Sequence, residues 1–186
     1  MVVRANMYGY QLGEFPVPYL GVPLVAGKLT VNACRPLIDR ITSRVQGWKA
    51  KSLSYAGRVE LVGSILYSMS QYWMNVFMLP KTVIREVERI CNNFLWSVGP
   101  GLNLKAKMAW KYMSIPKKEG GLGLRDLTSW NYACVFRQIW AVMMQHGSLW
   151  VAWIQAYKLK GRDFWAVTVS GSWNWGEVAE NQNKDP

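Results

Sequence analysis

The sequence predicts a mainly α fold, a helical bundle with a short N-terminal extended or β segment and a loop-rich basic connector. Apolar residues recur every three or four positions after Arg35, after Ser54, after Lys81 and after Asp126, which is the spacing of helices with one buried face. β-formers stand between prolines only near the start, and a Gly-rich stretch with five lysines interrupts the helical pattern after residue 98. With 186 residues, 51% of them hydrophobic, the chain can bury one sizeable core, and disorder is excluded for most of its length.

In Phe15-Pro-Val-Pro-Tyr-Leu-Gly-Val-Pro-Leu24 each proline removes a backbone donor, so the segment suits an edge strand or an extended arm. From Arg35, Leu37, Ile38, Ile41, Val45 and Trp48 mark an amphipathic helix, with Pro36 in its tolerant first turn. Its outer face carries Arg35, Arg40 and Arg44 against Asp39. A long helix is expected from Ser54 to Pro80, with Leu61, Ile65, Leu66, Met69, Tyr72, Trp73, Val76 and Phe77 on its apolar stripe. The next runs from Lys81 to Val98 and stops at Gly99-Pro-Gly. Residues 99–125 read as a connector, with Glu119-Gly-Gly-Leu-Gly-Leu124 as its turn. Asp126 or Thr128 can cap a further helix through Leu127, Trp130, Val135, Ile139, Trp140 and Met143, and Gly147 separates it from another over Ser148 to Lys158. The aromatic stretch with Phe164-Trp165 and Trp173-Asn-Trp175 precedes a polar tail.

Lys and Arg number 22 against 11 Asp and Glu, giving a formal charge of +11, which favours a polyanionic partner over an acidic substrate. Cys34, Cys91 and Cys134 lie far apart with no CxxC spacing, so neither a disulfide framework nor a metal site is expected. The N-terminus resembles neither a secretory signal nor a transit peptide, and nucleus or cytoplasm is the expected location. Two uncharged windows, Leu61 to Pro80 and Gln138 to Tyr157, are long enough to span a membrane, but their amides and serines argue against it.

The residues offer little for catalysis. His146, the single histidine, suits an interhelix or capping role better than a catalytic one. Glu86 and Glu88, flanked by Arg85 and Arg89, read as a solvated helix face, and no set of acids suggests a metal pair. Gly120-Gly-Leu-Gly123 matches no phosphate-binding motif and reads as a turn. No cofactor, no metal and no polymerase, nuclease or hydrolase activity is expected.

The constructive signal is basic residues interleaved with aromatics: Arg44, Trp48, Lys49, Lys51, Tyr55 and Arg58, then Lys107, Trp110, Lys111 and Tyr112. Such sets grip phosphates while aromatic faces meet sugars or bases; equally, Trp48 and Trp110 can belong to the core with the lysines as solvated charge. From Lys28 to Arg58 seven basic residues face one acid, Asp39.

Several ordered segments are similar to a known family. Tyr19-Leu-Gly-Val-Pro-Leu24, Trp48 with Lys51-Ser-Leu-Ser-Tyr-Ala-Gly-Arg58, Tyr72-Trp73, Phe77 with Leu79-Pro-Lys81, Phe94-Leu-Trp96, Trp110 with Pro116-Lys117, Gly120-Gly-Leu-Gly123 with Asp126-Leu127, and Trp130-Asn131 with Trp140 stand in the order found after the palm of plant non-LTR (LINE-type) retrotransposon reverse transcriptases. The resemblance covers residues 10–175 and implies an arm over 1–33 like the end of the palm and a thumb-like bundle over 34–98. A basic Gly-rich connector over 99–125, a C-terminal helical region over 126–180 and a polar tail over 181–186 follow. It implies a chain that begins after the catalytic palm and ends before the family's zinc-binding and RNase H-like segments.

The expected function is a non-enzymatic, transposon-derived fragment that binds nucleic acid weakly and without sequence preference. The expected contacts are Arg40, Arg44, Lys51, Arg58, Lys105, Lys107, Lys111 and Lys117. The alternative is a host-recruited interaction module that binds itself or a host protein through apolar surface at Tyr19, Leu20, Trp165, Trp173 and Trp175; membrane association is a minor third reading.

Overall fold

The computed structural model describes residues 17–25, 28–49, 51, 53–97 and 108–162, and within them the chain is mostly helical with one two-stranded sheet. Lys105, Lys107, Trp165, Trp173, Trp175 and the Gly99-Pro-Gly stop lie outside the described residues.

The sheet is a hairpin of β1 (Val17–Tyr19) and β2 (Val22–Leu24), paired Val17 with Leu24, Pro18 with Pro23 and Tyr19 with Val22. In a two-residue hairpin the Tyr19–Val22 pair exchanges backbone hydrogen bonds, so the next pair outward does not. Pro18 and Pro23 occupy that next pair, where a donor would have pointed away from the partner strand. The prolines therefore cost the hairpin nothing and leave its outer edges poor templates for a further strand.

Helix α1 (Arg35–Lys49) follows a 3₁₀ turn at Asn32–Cys34 and buries Leu37, Ile41 and Val45, four residues apart. The next helical segment is continuous in space but not uniform: α2 (Tyr55–Leu61), a π-helical turn (Val62–Leu66) and α3 (Tyr67–Met74). The Ser54 side chain caps its start by accepting the Gly57 N–H at 3.2 Å. Within the π turn the Tyr67 N–H reaches back five residues to the Val62 carbonyl. That extra residue rotates the buried face. Val62, Leu66, Tyr67, Ser70, Trp73 and Met74 are buried, whereas Ile65, Tyr72 and Val76 of the expected stripe are exposed.

Helix α4 (Lys81–Leu95) starts on the Pro80 carbonyl, which accepts from Val83 and Ile84, and buries seven side chains from Val83 to Leu95. Each such aliphatic or aromatic burial is worth about 1.5–3 kcal/mol, which makes α4 the spine against which α1, α2 and the later α6 pack. It ends three residues before the expected Val98. Short α5 (Trp110–Met113) and a 3₁₀ turn (Lys117–Glu119) lead to α6 (Leu127–Met143), whose cap is Asp126, its Oδ2 accepting the Ser129 N–H at 2.8 Å. Helix α7 (Leu149–Trp153) continues into a second π-helical segment, Ile154–Leu159.

Two apolar clusters result. The larger joins Val22, α1 to α4, Met113, Leu124, Leu127 and Cys134; the smaller joins Val135, Ile139 and Val142 of α6 to Val151, Ile154 and Leu159. Helix α6 thus serves both, its first half in the larger core and its second half in the smaller. Trp140 and Met143, expected on its apolar stripe, are exposed, because Val142 and the buried Asn131 hold the inward positions.

Candidate nucleic-acid interface

Because Leu37, Ile41 and Val45 are held inward, Arg40 and Arg44, four residues apart and therefore neighbours on the helix surface, are presented to solvent. Lys51 follows just past the helix end, exposed, in a turn closed by its N–H on the Trp48 carbonyl at 3.0 Å. Asp39 is exposed as well, yet among the described residues neither arginine forms an ion pair. The positive charge of this stripe is not internally neutralised.

Arg58 differs from these. It is half-buried on α2 beside Tyr55, whose ring lies 5.4 Å from that of Trp96, and its Nε is buried without a hydrogen-bond partner. Arg58, expected among the phosphate contacts, is therefore not a freely exposed cation like Arg40, Arg44 and Lys51. Lys111 and Lys117 of the connector are exposed, as is Tyr112. Of the interleaved aromatics, Trp48 and Trp110 pack on the larger core, Trp48 with its ring 5.8 Å from Phe94. These two tryptophans are structural.

The glycine run is a turn, as expected. The Leu122 and Leu124 N–H groups both donate to the Met113 carbonyl, and the Gly123 N–H donates to the Ile115 carbonyl at 2.9 Å. Gly120 and Gly123 have φ of 88° and 66°, and a Cβ on Gly121 would stand 2.0 Å from the Ile115 oxygen. All three glycines fold the chain back on itself, and the N–H groups from Glu119 to Leu124 all donate to backbone carbonyls of this turn instead of facing outward to a phosphate.

Glu86 and Glu88, two residues apart, point to different sides of α4 as their spacing implies, and only Glu86 has the solvated setting expected of both. Glu86 lies on the solvated face and pairs with Arg89 at 2.6 Å, which holds its carboxyl below the usual range. Glu88 does not share that face. It is half-buried toward Tyr67, Cys91 and Asp126, and burial, with a smaller push from Asp126, raises its pKa to about 7. The three cysteines are buried and free, and burial pushes all their thiols upward. No three His, Cys, Asp or Glu side chains converge as metal ligands among the described residues, and no described helix is long and apolar enough to cross a membrane.

Residues that spacing alone did not single out tie the connector and α6 to the rest. Arg125 lies 4.3 Å over the Trp130 ring and its backbone carbonyl accepts the Tyr67 hydroxyl at 2.9 Å. Arg137 donates to the Asn75 side chain and Gln138 to the Asn75 carbonyl. His146 is exposed in the loop between α6 and α7, and the cap of α7 is Ser148, which accepts the Val151 N–H at 3.2 Å. The exposed rings of Trp153, at the end of α7, and Tyr157, in the π-helical segment after it, stack 5.8 Å apart. Their signal in the sequence was the absence of any Asp or Glu from 127 to 162 beside Lys158, Lys160 and Arg162.

Of the expected interaction residues, Tyr19 and Leu20 sit at the hairpin tip, 58% and 73% exposed. Leu20 has φ of 50° and Gly21 82°, and the Leu20 carbonyl accepts the Tyr72 hydroxyl at 2.6 Å, which fixes the tip on α3.

The chain matches no family model. It is similar to an Arabidopsis thaliana protein named "Putative ribonuclease H protein", 30% identical over 162 residues that cover 85% of this chain and 26% of the relative. The chain therefore spans about a quarter of that relative's length. This agrees in coarse form with the expected resemblance to a transposon-related plant protein. It also corrects one expectation: the reading of the chain as non-enzymatic is overturned by a relative that carries the name of an enzyme, ribonuclease H.

Proposed function

We propose that this chain is a nucleic-acid-holding segment related to the post-palm, thumb-like region of plant retrotransposon reverse transcriptases, working within or alongside a ribonuclease H-type protein. The observation that carries the reading is the stripe of Arg40, Arg44 and Lys51, exposed and without ion pairs among the described residues. Charges left unneutralised by the protein itself are available to replace counterions on a phosphate backbone, and this mode reads no bases. Lys111 and Lys117 extend the basic character into the connector, with Lys105 and Lys107 as further members by sequence. Arg58, half-buried, anchors the near end of the surface more than it reaches outward.

Fluorescence anisotropy with labelled duplex and hybrid oligonucleotides tests the reading. Binding that weakens steeply and linearly in log–log form as salt rises supports it; absence of binding at low salt defeats it.

A second reading, self-association, is favoured by the exposed Tyr19 and Leu20 at a fixed hairpin tip. Light scattering at micromolar concentration distinguishes it: a dimer that Leu20→Asp dissociates supports the hairpin as an interface, and a monodisperse monomer rejects it.

A further inference from the structure

The α7 region carries a second surface, separate from the α1 stripe and independent of the function proposed for that stripe. Trp153 and Tyr157 are 45% and 66% exposed, and their rings lie 5.8 Å apart and 28° from parallel, one helical turn after another. Neither ring is among the buried or partly buried residues that make up the two apolar clusters. They are nonetheless firmly mounted. Val151, Ile154 and Leu159 are buried beneath them against α6, Ser148 caps the helix, and Gln155 Nε2 donates to the Val142 carbonyl at 3.1 Å.

The charge beside the rings has one sign. Lys158, Lys160 and Arg162 are exposed and form no ion pair among the described residues, and no Asp or Glu occurs from 127 to 162. Lys160, with φ of 51°, ends the helix, and all three cations follow Tyr157 within five residues of chain.

We propose that Trp153 and Tyr157 form a stacking platform for the unpaired bases of a single-stranded nucleic acid, with Lys158, Lys160 and Arg162 holding its phosphates. A flat ring accepts any base face, so the site selects for unpaired strand and not for sequence. A duplex hides those faces in its own stack. A second copy of the chain is the poorer occupant, because a two-fold contact through this patch would bring three uncompensated cations of each copy together.

The test uses the full chain and anisotropy with a mixed-sequence single strand, an abasic strand of equal length and charge, and a blunt duplex. Trp153→Ala with Tyr157→Ala should weaken binding of the base-bearing strand by about tenfold or more while leaving the abasic strand and the duplex unchanged. Tyr157→Phe, which keeps the ring, should bind like the parent. Equal loss for the base-bearing and abasic strands, or no loss for either, overturns the proposal. So does an unchanged affinity for the single strand in a variant that dissociates an oligomer or releases phosphatidylserine vesicles, which would make the patch a protein or lipid contact. Circular dichroism of Tyr157→Leu, a smaller change at an exposed position, separates a binding loss from unfolding, and this variant should show the same selective loss.

Discussion

The side chain of Asn131 holds the backbone at Leu79: its Oδ1 accepts the Leu79 N–H at 2.7 Å across 52 residues of sequence. Its Nδ2 donates to the Phe77 carbonyl at 3.0 Å and the Met74 carbonyl at 3.4 Å. The backbone from Asn75 to Pro80 leaves one helix and enters the next, so its polar groups cannot all find partners in either ladder. One buried amide, only 1% exposed, supplies them and fixes α6 across the α3–α4 junction. Asn131→Leu keeps the volume but leaves a buried donor and two buried acceptors unsatisfied. The expected cost is roughly 2–4 kcal/mol, read as a fall in Tm of roughly 5–15 °C by thermal denaturation. Asn131→Asp should not restore it, because a carboxylate offers no donor to the two carbonyls.

Gly121 tests the connector turn. A methyl group there would lie 2.0 Å from the Ile115 carbonyl oxygen and 2.5 Å from its carbon, and no side-chain rotation can relieve a clash with backbone. Gly121→Ala should cost more than about 2 kcal/mol and expose Met113 and Leu124, seen as a lower urea midpoint. Gly47→Ala is the matched control. It lies in α1 with nothing within 4 Å of the added carbon, so it should stabilise by about 0.5–1 kcal/mol.

Glu88 makes stability depend on pH. Its folded pKa, about 7, lies above the ordinary 4.5, so the folded state holds a proton that the unfolded chain has released between those values. The contribution of this group is therefore fully present below about pH 4.5 and is lost as pH rises through 7. Glu88→Gln keeps the neutral shape permanently. Melting curves should show the variant gaining in Tm over the parent from pH 5 to pH 8, with little difference at the acidic end. A constant difference across that range would mean that Glu88 is charged in the fold throughout.

Leu20 occupies a backbone region that branched and bulky residues avoid, with φ of 50° at an exposed turn. Asparagine tolerates that region and is favoured where two successive turn residues, here 20 and 21, both have positive φ. Leu20→Asn should raise stability by about 0.5–1 kcal/mol, measured by denaturant titration, since the Tyr72 hydrogen bond uses only the backbone carbonyl of this residue. A loss of stability would instead mean that the leucine side chain makes a contact worth more than the strain it causes.

Helix positions were legible wherever one face is apolar and the other charged, as in α1 and α4, and where a cap stands in the sequence, as at Ser54 and Asp126. The buried faces of α2–α3 and α6 were not. Those segments carry apolar residues nearly all round, so spacing cannot choose between Ile65 and Val62 or between Trp140 and Val142. The π turn at Val62–Leu66 adds a rotation that no 3.6-residue pattern contains. Asn131 and Glu88 escaped for a related reason: a polar residue among apolar ones looks like a solvated position until the partner 52 residues away, or the carboxylate of Asp126, is brought beside it. For the candidate site, charge density pointed to the α1 stripe, while it took packing to move Trp48 and Trp110 into the core.

The α1 stripe makes a quantitative prediction about salt. A basic residue that touches phosphate displaces counterions, and each such contact removed lowers the slope of log affinity against log salt by about one. Arg40→Gln together with Arg44→Gln should therefore reduce the slope by roughly two and weaken binding alike for unrelated sequences. Stability should hold, because both side chains are exposed and the buried Leu37, Ile41 and Val45 are untouched. Relief of like-charge repulsion four residues apart should even favour the helix by a few tenths of a kcal/mol. Arg58→Gln is the contrasting variant. Its side chain is half-buried with the Nε out of contact with solvent, so this change should lower the salt slope by less than the loss of either exposed arginine. An unchanged slope in the double variant, with binding retained, would show that the phosphates are held elsewhere.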